Sequence, residues 1–202
     1  MSDDVRPAAT VILWRDSPAG PQVLMGMRGA SAVFMPSKYV FPGGGVDAAD
    51  HHGTHTMVLS PTCTSRLSAM CPPDAPKPAA LVTAALRELH EETGLRLTPA
   101  DAPALTFIFR AITPTGRPRR FDARFFLIAA DHISGDPLDF SAASDELSHL
   151  HWVALAQVRQ LDLPFITEVV LAEVQALLAG AVQPGVPFFD NSGPVPTFRR
   201  IA

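Results

Sequence analysis

Apolar residues change their spacing several times along the chain, and each change marks an element. "ATVILWR" (9–15) and "QVLMGMR" (22–28) are apolar and rich in β-branched residues, with the turn-forming "DSPAGP" between them. They predict a strand, a loop and a strand. "YVFP" (39–42) predicts a short strand running into Gly43, Gly44 and Gly45 as a tight glycine turn. From His51 to about Pro78 the pattern dissolves into His, Thr, Ser, Cys and Pro, with "TMVLS" a scrap of strand, so 51–78 is predicted as a long inserted loop. Helical spacing begins at Pro78, a residue suited to a first turn, and lasts to Thr93 with Gly94 as the stop. Val82, Ala85, Leu86 and Leu89 mark the buried face of that helix.

"LTFIFRAIT" (105–113) and "RFDARFFLIAA" (120–130) predict two strands joined by "PTGRPR", and "SHLHWVAL" (148–155) predicts another. Residues 164–179, "PFITEVVLAEVQALLA", predict a second amphipathic helix ended by Gly180. The stretch 182–202, rich in Pro, Gly and Phe, reads as an extended C-terminal tail over the surface. No internal repeat is present. Strands mixed with two helices, without regular βαβ alternation, imply an α/β (α+β) fold: a mixed sheet with helices packed on it.

Composition narrows the class. With 202 residues and 47% apolar content, the chain suits one core and hence one domain over 1–202. No apolar run is long enough to suggest a membrane span. The opening "MSDDVRPAAT" carries acids where a secretory leader carries bases, and only Cys63 and Cys71 are present, so a reducing cytoplasm is expected. A net charge of −4 argues against bulk binding to nucleic acid or an anionic membrane. "RPRRFDAR" is a local exception, clustering Arg117, Arg119, Arg120 and Arg124 as either an anion-binding patch or a solvated hairpin arm.

The sharpest chemistry lies in "AALRELHEETGL" (84–95). At the helical repeat, Glu88, Glu91 and Glu92 fall within an arc of roughly 100°, on a face turned away from the predicted core contacts. Like charges so placed destabilise a helix. Arg87, four residues before Glu91, can hold that carboxylate, but one arginine cannot neutralise three acids. A hard divalent cation can, and Mg²⁺ suits a few carboxylates plus waters and phosphate oxygens. The plainer alternative is a solvated acidic face. Upstream, "FPGGGVDAAD" adds a glycine loop with Asp47 and Asp50, where a metal or phosphate can approach the main chain. His51, His52 and His55 with Cys63 and Cys71 form a weaker zinc candidate, without a paired-cysteine motif.

Gly44, Arg87, Glu88, Leu89, Glu91, Glu92, Gly94 and Leu95 match the Nudix box in identity and order, and the chain resembles the Nudix hydrolases over roughly residues 8 to 180. Asp50 stands where the box has its first Glu, and residues 51–86 separate it from Arg87, so the box is interrupted by an insertion. "GASAVFMPSKYVFPGGGVDAAD", the interruption and "RPRRFDARFF" resemble the subgroup that includes the mammalian peroxisomal coenzyme A diphosphatase. Val33 and Ser37 stand where the coenzyme A signature carries Arg and Gly.

The resemblance implies an α/β/α sandwich and Mg²⁺- or Mn²⁺-dependent hydrolysis of a nucleoside diphosphate derivative, coenzyme A or acyl-coenzyme A first. ADP-ribose, dinucleotides, nucleotide sugars and a non-catalytic nucleotide sensor are the alternatives. Implied metal ligands are Glu88, Glu91 and Glu92, with the Gly44 carbonyl or Asp50. Glu91 and Glu92 are expected to be the principal pair and Arg87 to orient a carboxylate. Glu146 in "SDELSHLHW" is an additional acid that could act as general base, a role equally open to a metal-bound Glu. Gly43, Gly44, Arg28, Arg119 and Arg120 are the candidates for holding substrate phosphates. The insertion is expected to shape or cover the pocket. Frequent dimerisation in the family adds a homodimer to the expectations.

Overall fold

The computed structural model describes residues 4–53, 59–98 and 104–202. Strand β2 (Gln22–Arg28) has the predicted bounds, β1 (Val5–Arg15) begins four residues before its predicted start, and β3 (Tyr39–Val40) follows. Gly43–Gly45, expected as a turn, is instead strand β4, paired antiparallel to β1 at Ala8, Ala9 and Thr10. A 3₁₀ turn spans Ala48–His52. The predicted inserted loop contains a helix, α1 (Pro61–Ser68), capped by the Ser60 side chain, which accepts from Cys63 N at 3.1 Å. Its sequence hid it: Cys63 and Leu67 are the only residues it buries, too few to set up a visible period.

Helix α2 (Pro78–Thr93) has the predicted bounds, with proline in its first turn and Gly94 in the left-handed conformation after its end. Strands β5 (Thr106–Ile112), β6 (Arg120–Ala129) and β7 (Leu147–Ala154) follow, then α3 (Phe165–Leu178). The expected surface tail is instead a hairpin, β8 (Val186–Asp190) and β9 (Thr197–Ile201). Strand β8 joins the sheet parallel to β5 through Arg110↔Phe188 and Ala111↔Phe189. That register begins beyond Pro187, which has no N–H to give a ladder, in a stretch whose Pro, Gly and Phe content read as a tail.

The sheet runs β3-β2-β1-β6-β5-β8-β9, with β4 also on β1 and β7 also on β2. β1–β6 and β5–β8 are parallel; the other pairs are antiparallel. Alternate residues feed two cores. Ala9, Val11, Leu13, Phe126 and Ile128 pack under α1 and α2, while Ile12, Phe125 and Leu127 pack with Val170, Leu171 and Val174 of α3. The strand period of two thus gives a mixed α+β sheet with helices on both faces. Among the described residues no helix is long and apolar enough to cross a membrane.

β1 determines where the site forms. Its far end pairs with β2 at Trp14 and Arg15, but its first half pairs with β4, so β2 and β4 diverge beside α2. If the terminal hairpin belongs to the core, Phe188→Ala should lower stability by about 3–5 kcal/mol, since Phe188 is 3% exposed beneath the Arg110 guanidinium. Phe198→Ala, at 60% exposure, should cost about 1 kcal/mol or less. Urea unfolding of the two variants checks the contrast.

Candidate active site

The acidic face of α2 is enclosed in large part, Glu91 alone of its three acids being half exposed. Glu88 and Glu92 are buried, at 8% and 2% exposure, because β4 and the segment before β7 close over that face. Gly44 makes the approach possible: a Cβ there would land on the Glu88 carboxylate. Next to it, Gly43 N donates to Glu92 Oε2 at 2.7 Å. The glycine run therefore supplies backbone at close range to both acids.

Burial pushes the Glu92 carboxyl up to about 8, against the opposing pull of the Gly43 amide and the Arg28 charge. Burial also raises Glu88, with Arg87 pulling the other way and Glu91 and Glu146 adding to the rise. Both acids pay for desolvation that their protein partners offset only in part. Glu146, exposed on the segment leading into β7, completes the group. One oxygen from each of Glu88, Glu92 and Glu146 can be chosen so that all three lie within 4.8 Å of one another.

Arg87 joins the surrounding elements. Its Nε and Nη2 donate to the two carboxylate oxygens of Asp50 at 3.1 and 3.0 Å, and Nη2 also reaches Gly45 O at 2.9 Å. Nη1 donates to Glu88 Oε1 at 2.8 Å and to Glu91 Oε2 at 3.1 Å. These acids hold its pKa above the usual arginine range, the Asp50 hydrogen bonds contributing most. Asp50 is 1% exposed and also accepts from Asp47 N at 2.8 Å. It therefore faces Arg87 and not the three-carboxylate group. Glu91 is half exposed, shares Arg87 Nη1 with Glu88, and likewise lies outside that group.

The arginine-rich stretch divides between the surface and the interior. Arg117 and Arg119 are exposed on the loop before β6. Arg120 is buried, donating to Thr113 O and Asn191 O at 3.0 Å each; this corrects the picture of one basic surface patch. Arg124 is buried too and shares Asp122 with Arg110, whose fork meets both Asp122 oxygens at 2.8 Å. Sequence reasoning missed this Arg110–Asp122–Arg124 group. Strand alternation could have found it, since Asp122 and Arg124 occupy the same inward register as Phe126. Arg28, at the end of β2, stands near enough to Glu92 to influence it, and its buried Nε has no hydrogen-bond partner among the described residues.

The inserted segment is seated on the sheet beside α2. Arg110 Nη1 donates to Met70 O at 3.0 Å, and Arg124 Nη2 reaches Cys71 Sγ at 3.5 Å. A cavity of about 670 Å³ opens between Met70–Pro76, β5, β6 and the terminal hairpin, and none of the three carboxylates lines it. His55 lies outside the described residues. Among the described residues the histidines and cysteines of the insertion form no metal-holding group, and both cysteines are free. Ser37 has φ +55°, the left-handed conformation that a glycine would adopt without cost.

Known proteins resemble this chain in sequence and in fold. Residues 75–174 match the family model described as the NUDIX domain. A NUDIX hydrolase from Alicyclobacillus acidocaldarius is 26% identical, with 89% of this chain and 93% of that chain covered and a TM-score of 0.61. The NUDIX domain of Shewanella oneidensis NrtR, solved with ADP ribose, is 15% identical over 88% of this chain and 90% of that one, with a TM-score of 0.57. A MutT NUDIX hydrolase from Burkholderia pseudomallei is 20% identical over 85% and 99%, with a TM-score of 0.53. At those identities the last two speak for the fold. With the buried acidic helix, its arginine and the glycine strand in place, this chain carries a Nudix domain and is a hydrolase of that kind.

Proposed function

We propose that the protein hydrolyses the diphosphate linkage of a nucleoside diphosphate derivative, with coenzyme A or an acyl-coenzyme A as its substrate, using Mg²⁺ or Mn²⁺ at Glu88, Glu92 and Glu146. The observation that carries the reading is the convergence of three carboxylates, two of them buried, on one small volume. The donor set fits the ion. All three donors are hard oxygens, and burial takes Glu88 and Glu92 out of water at a cost that Arg87 and the Gly43 amide offset only in part. Arg87 holds Glu88 and Glu91 in place through Nη1 and is itself held by Asp50.

A bound divalent ion supplies charge neutralisation on the diphosphate and a more acidic water. Hydrolysis forms a bond from water oxygen to phosphorus, breaks the bridging P–O bond, and leaves a water proton to a carboxylate of the site. Arg28 is the candidate for a substrate phosphate, because its positive charge acts on Glu92 and its buried Nε has no hydrogen-bond partner among the described residues. Exposed Arg119 is the further candidate for the coenzyme A 3′-phosphate. The coenzyme A assignment rests on the resemblance of the stretch before the box, on the interruption between Asp50 and Arg87, and on the left-handed backbone at Ser37.

Three measurements test the site and the substrate. Gly44→Ala forces a methyl onto the Glu88 carboxylate and should lower turnover roughly 100-fold or more, measured beside thermal stability to separate misfolding from misplacement. For Glu92, the folded pKa of about 8 lies above the ordinary 4.5, so the folded state retains a proton that the unfolded state has lost. Stability of the metal-free protein is therefore fully present below about pH 4.5 and declines as pH rises through about 8. Glu92→Gln should flatten the decline in a series of melting curves. For substrate, coenzyme A, ADP-ribose and NADH are incubated with each metal and with Glu92→Gln as control. Release of 3′,5′-ADP from coenzyme A ahead of the others is expected. Preference for another diphosphate overturns the substrate, and no turnover of any of them favours a nucleotide sensor.

A further inference from the structure

Glu146 reaches the carboxylate group from a segment that is itself built turn by turn. Leu138 N and Ser141 N donate to Asp136 Oδ1 and Asp139 Oδ1, both at 2.9 Å, and Trp152 Nε1 donates to Pro137 O at 3.1 Å. Phe140 packs against the core beneath α2. The segment then meets the end of α2 at two points. Gly94, at φ +77°, turns the chain out of the helix, and a Cβ on it would lie 3.0 Å from Ala142 Cβ and 3.2 Å from Ala143 N. Ser144 N donates at 2.9 Å to Glu91 O, one of the last-turn carbonyls that a helix leaves without an internal partner. Two residues later comes Glu146, within reach of Glu88 and Glu92.

We infer that the Gly94–Ala142 contact and the Ser144–Glu91 hydrogen bond are a positioning device that sets how far Glu146 extends toward Glu88 and Glu92. Gly94 and Ser144 are positioning residues acting through Glu146; neither supplies a ligand. The helix that carries two of the acids is thereby also the ruler for the third. A side chain at residue 94 pushes the segment outward, and loss of the residue 144 amide frees it from the helix end. The inference rests on the reading that Glu88, Glu92 and Glu146 together hold a divalent ion.

The test is a double-mutant cycle on the full chain, read as the Mn²⁺ dissociation constant by titration calorimetry. Gly94→Ala and Ser144→Pro are each made in the native background and with Glu146→Gln. Because one adds bulk and the other removes a donor, a folding defect in one, seen as a lost thermal transition, leaves the other to decide. Each is expected to weaken Mn²⁺ binding roughly 10-fold in the native background and less than about twofold once Glu146 is Gln. Equal weakening in both backgrounds, or none in the native one, overturns the inference, as does a Glu146→Gln change that leaves Mn²⁺ affinity intact. Diphosphate turnover is followed in parallel. Coupled metal binding without turnover condemns the hydrolase reading alone, whereas turnover with uncoupled metal binding condemns the positioning device alone.

Discussion

The fork between Arg87 and Asp50 is the contact on which the site depends. One guanidinium meets both oxygens of a buried carboxylate, the Gly45 carbonyl, and the carboxylates of Glu88 and Glu91. It therefore fixes the 3₁₀ turn, strand β4 and helix α2 relative to one another. Bidentate geometry makes this a directional constraint as well as an attraction. A lysine could supply the charge but not the fork.

Around that contact the fold concentrates negative charge where water is scarce. Glu88 and Glu92 lie between α2 and β4, and the amide of Gly43 and the guanidinium of Arg87 answer only part of their cost. Structures kept for stability alone seldom bury two neighbouring acids under such terms. Here the cost is local to the place where β1 changes partner from β4 to β2, and where backbone amide, arginine and carboxylate come together.

Much of this was legible from residue spacing, and what was not has identifiable causes. Strand β2 and helix α2 have the predicted bounds, β2 from its apolar run and α2 from its apolar period between Pro78 and Gly94. The Gly43–Gly45 strand has no side chains from which to read a pairing that is entirely backbone to β1. Helix α1 buries two residues, and β8 contains Pro187 ahead of its register with β5, so each lacked its usual signal. The helical wheel grouped Glu88, Glu91 and Glu92 correctly on one arc but could not say what stands opposite. The structure divides them: β4 covers two, the third is left half exposed on Arg87, and Glu146 arrives from more than fifty residues away. Arg120 and Arg124 looked like surface charge because clustering in sequence hides the alternation that turns Arg124 inward and the backbone carbonyls that hold Arg120.

The ion pair from Asp50 to Arg87 also joins the two ends of everything that lies between them in the chain. Those ends are held at hydrogen-bond distance, and closing a longer flexible excursion costs little: each doubling adds only about 0.6 kcal/mol. The junction thus works as a port, where the polypeptide can leave the catalytic frame and return without disturbing it. The present occupant of the port, seated on Arg110 and Arg124 through Met70 and Cys71 just beyond its short helix, shows that a long excursion fits this junction, which makes it a place where such a domain can gain new surface while its frame stays put.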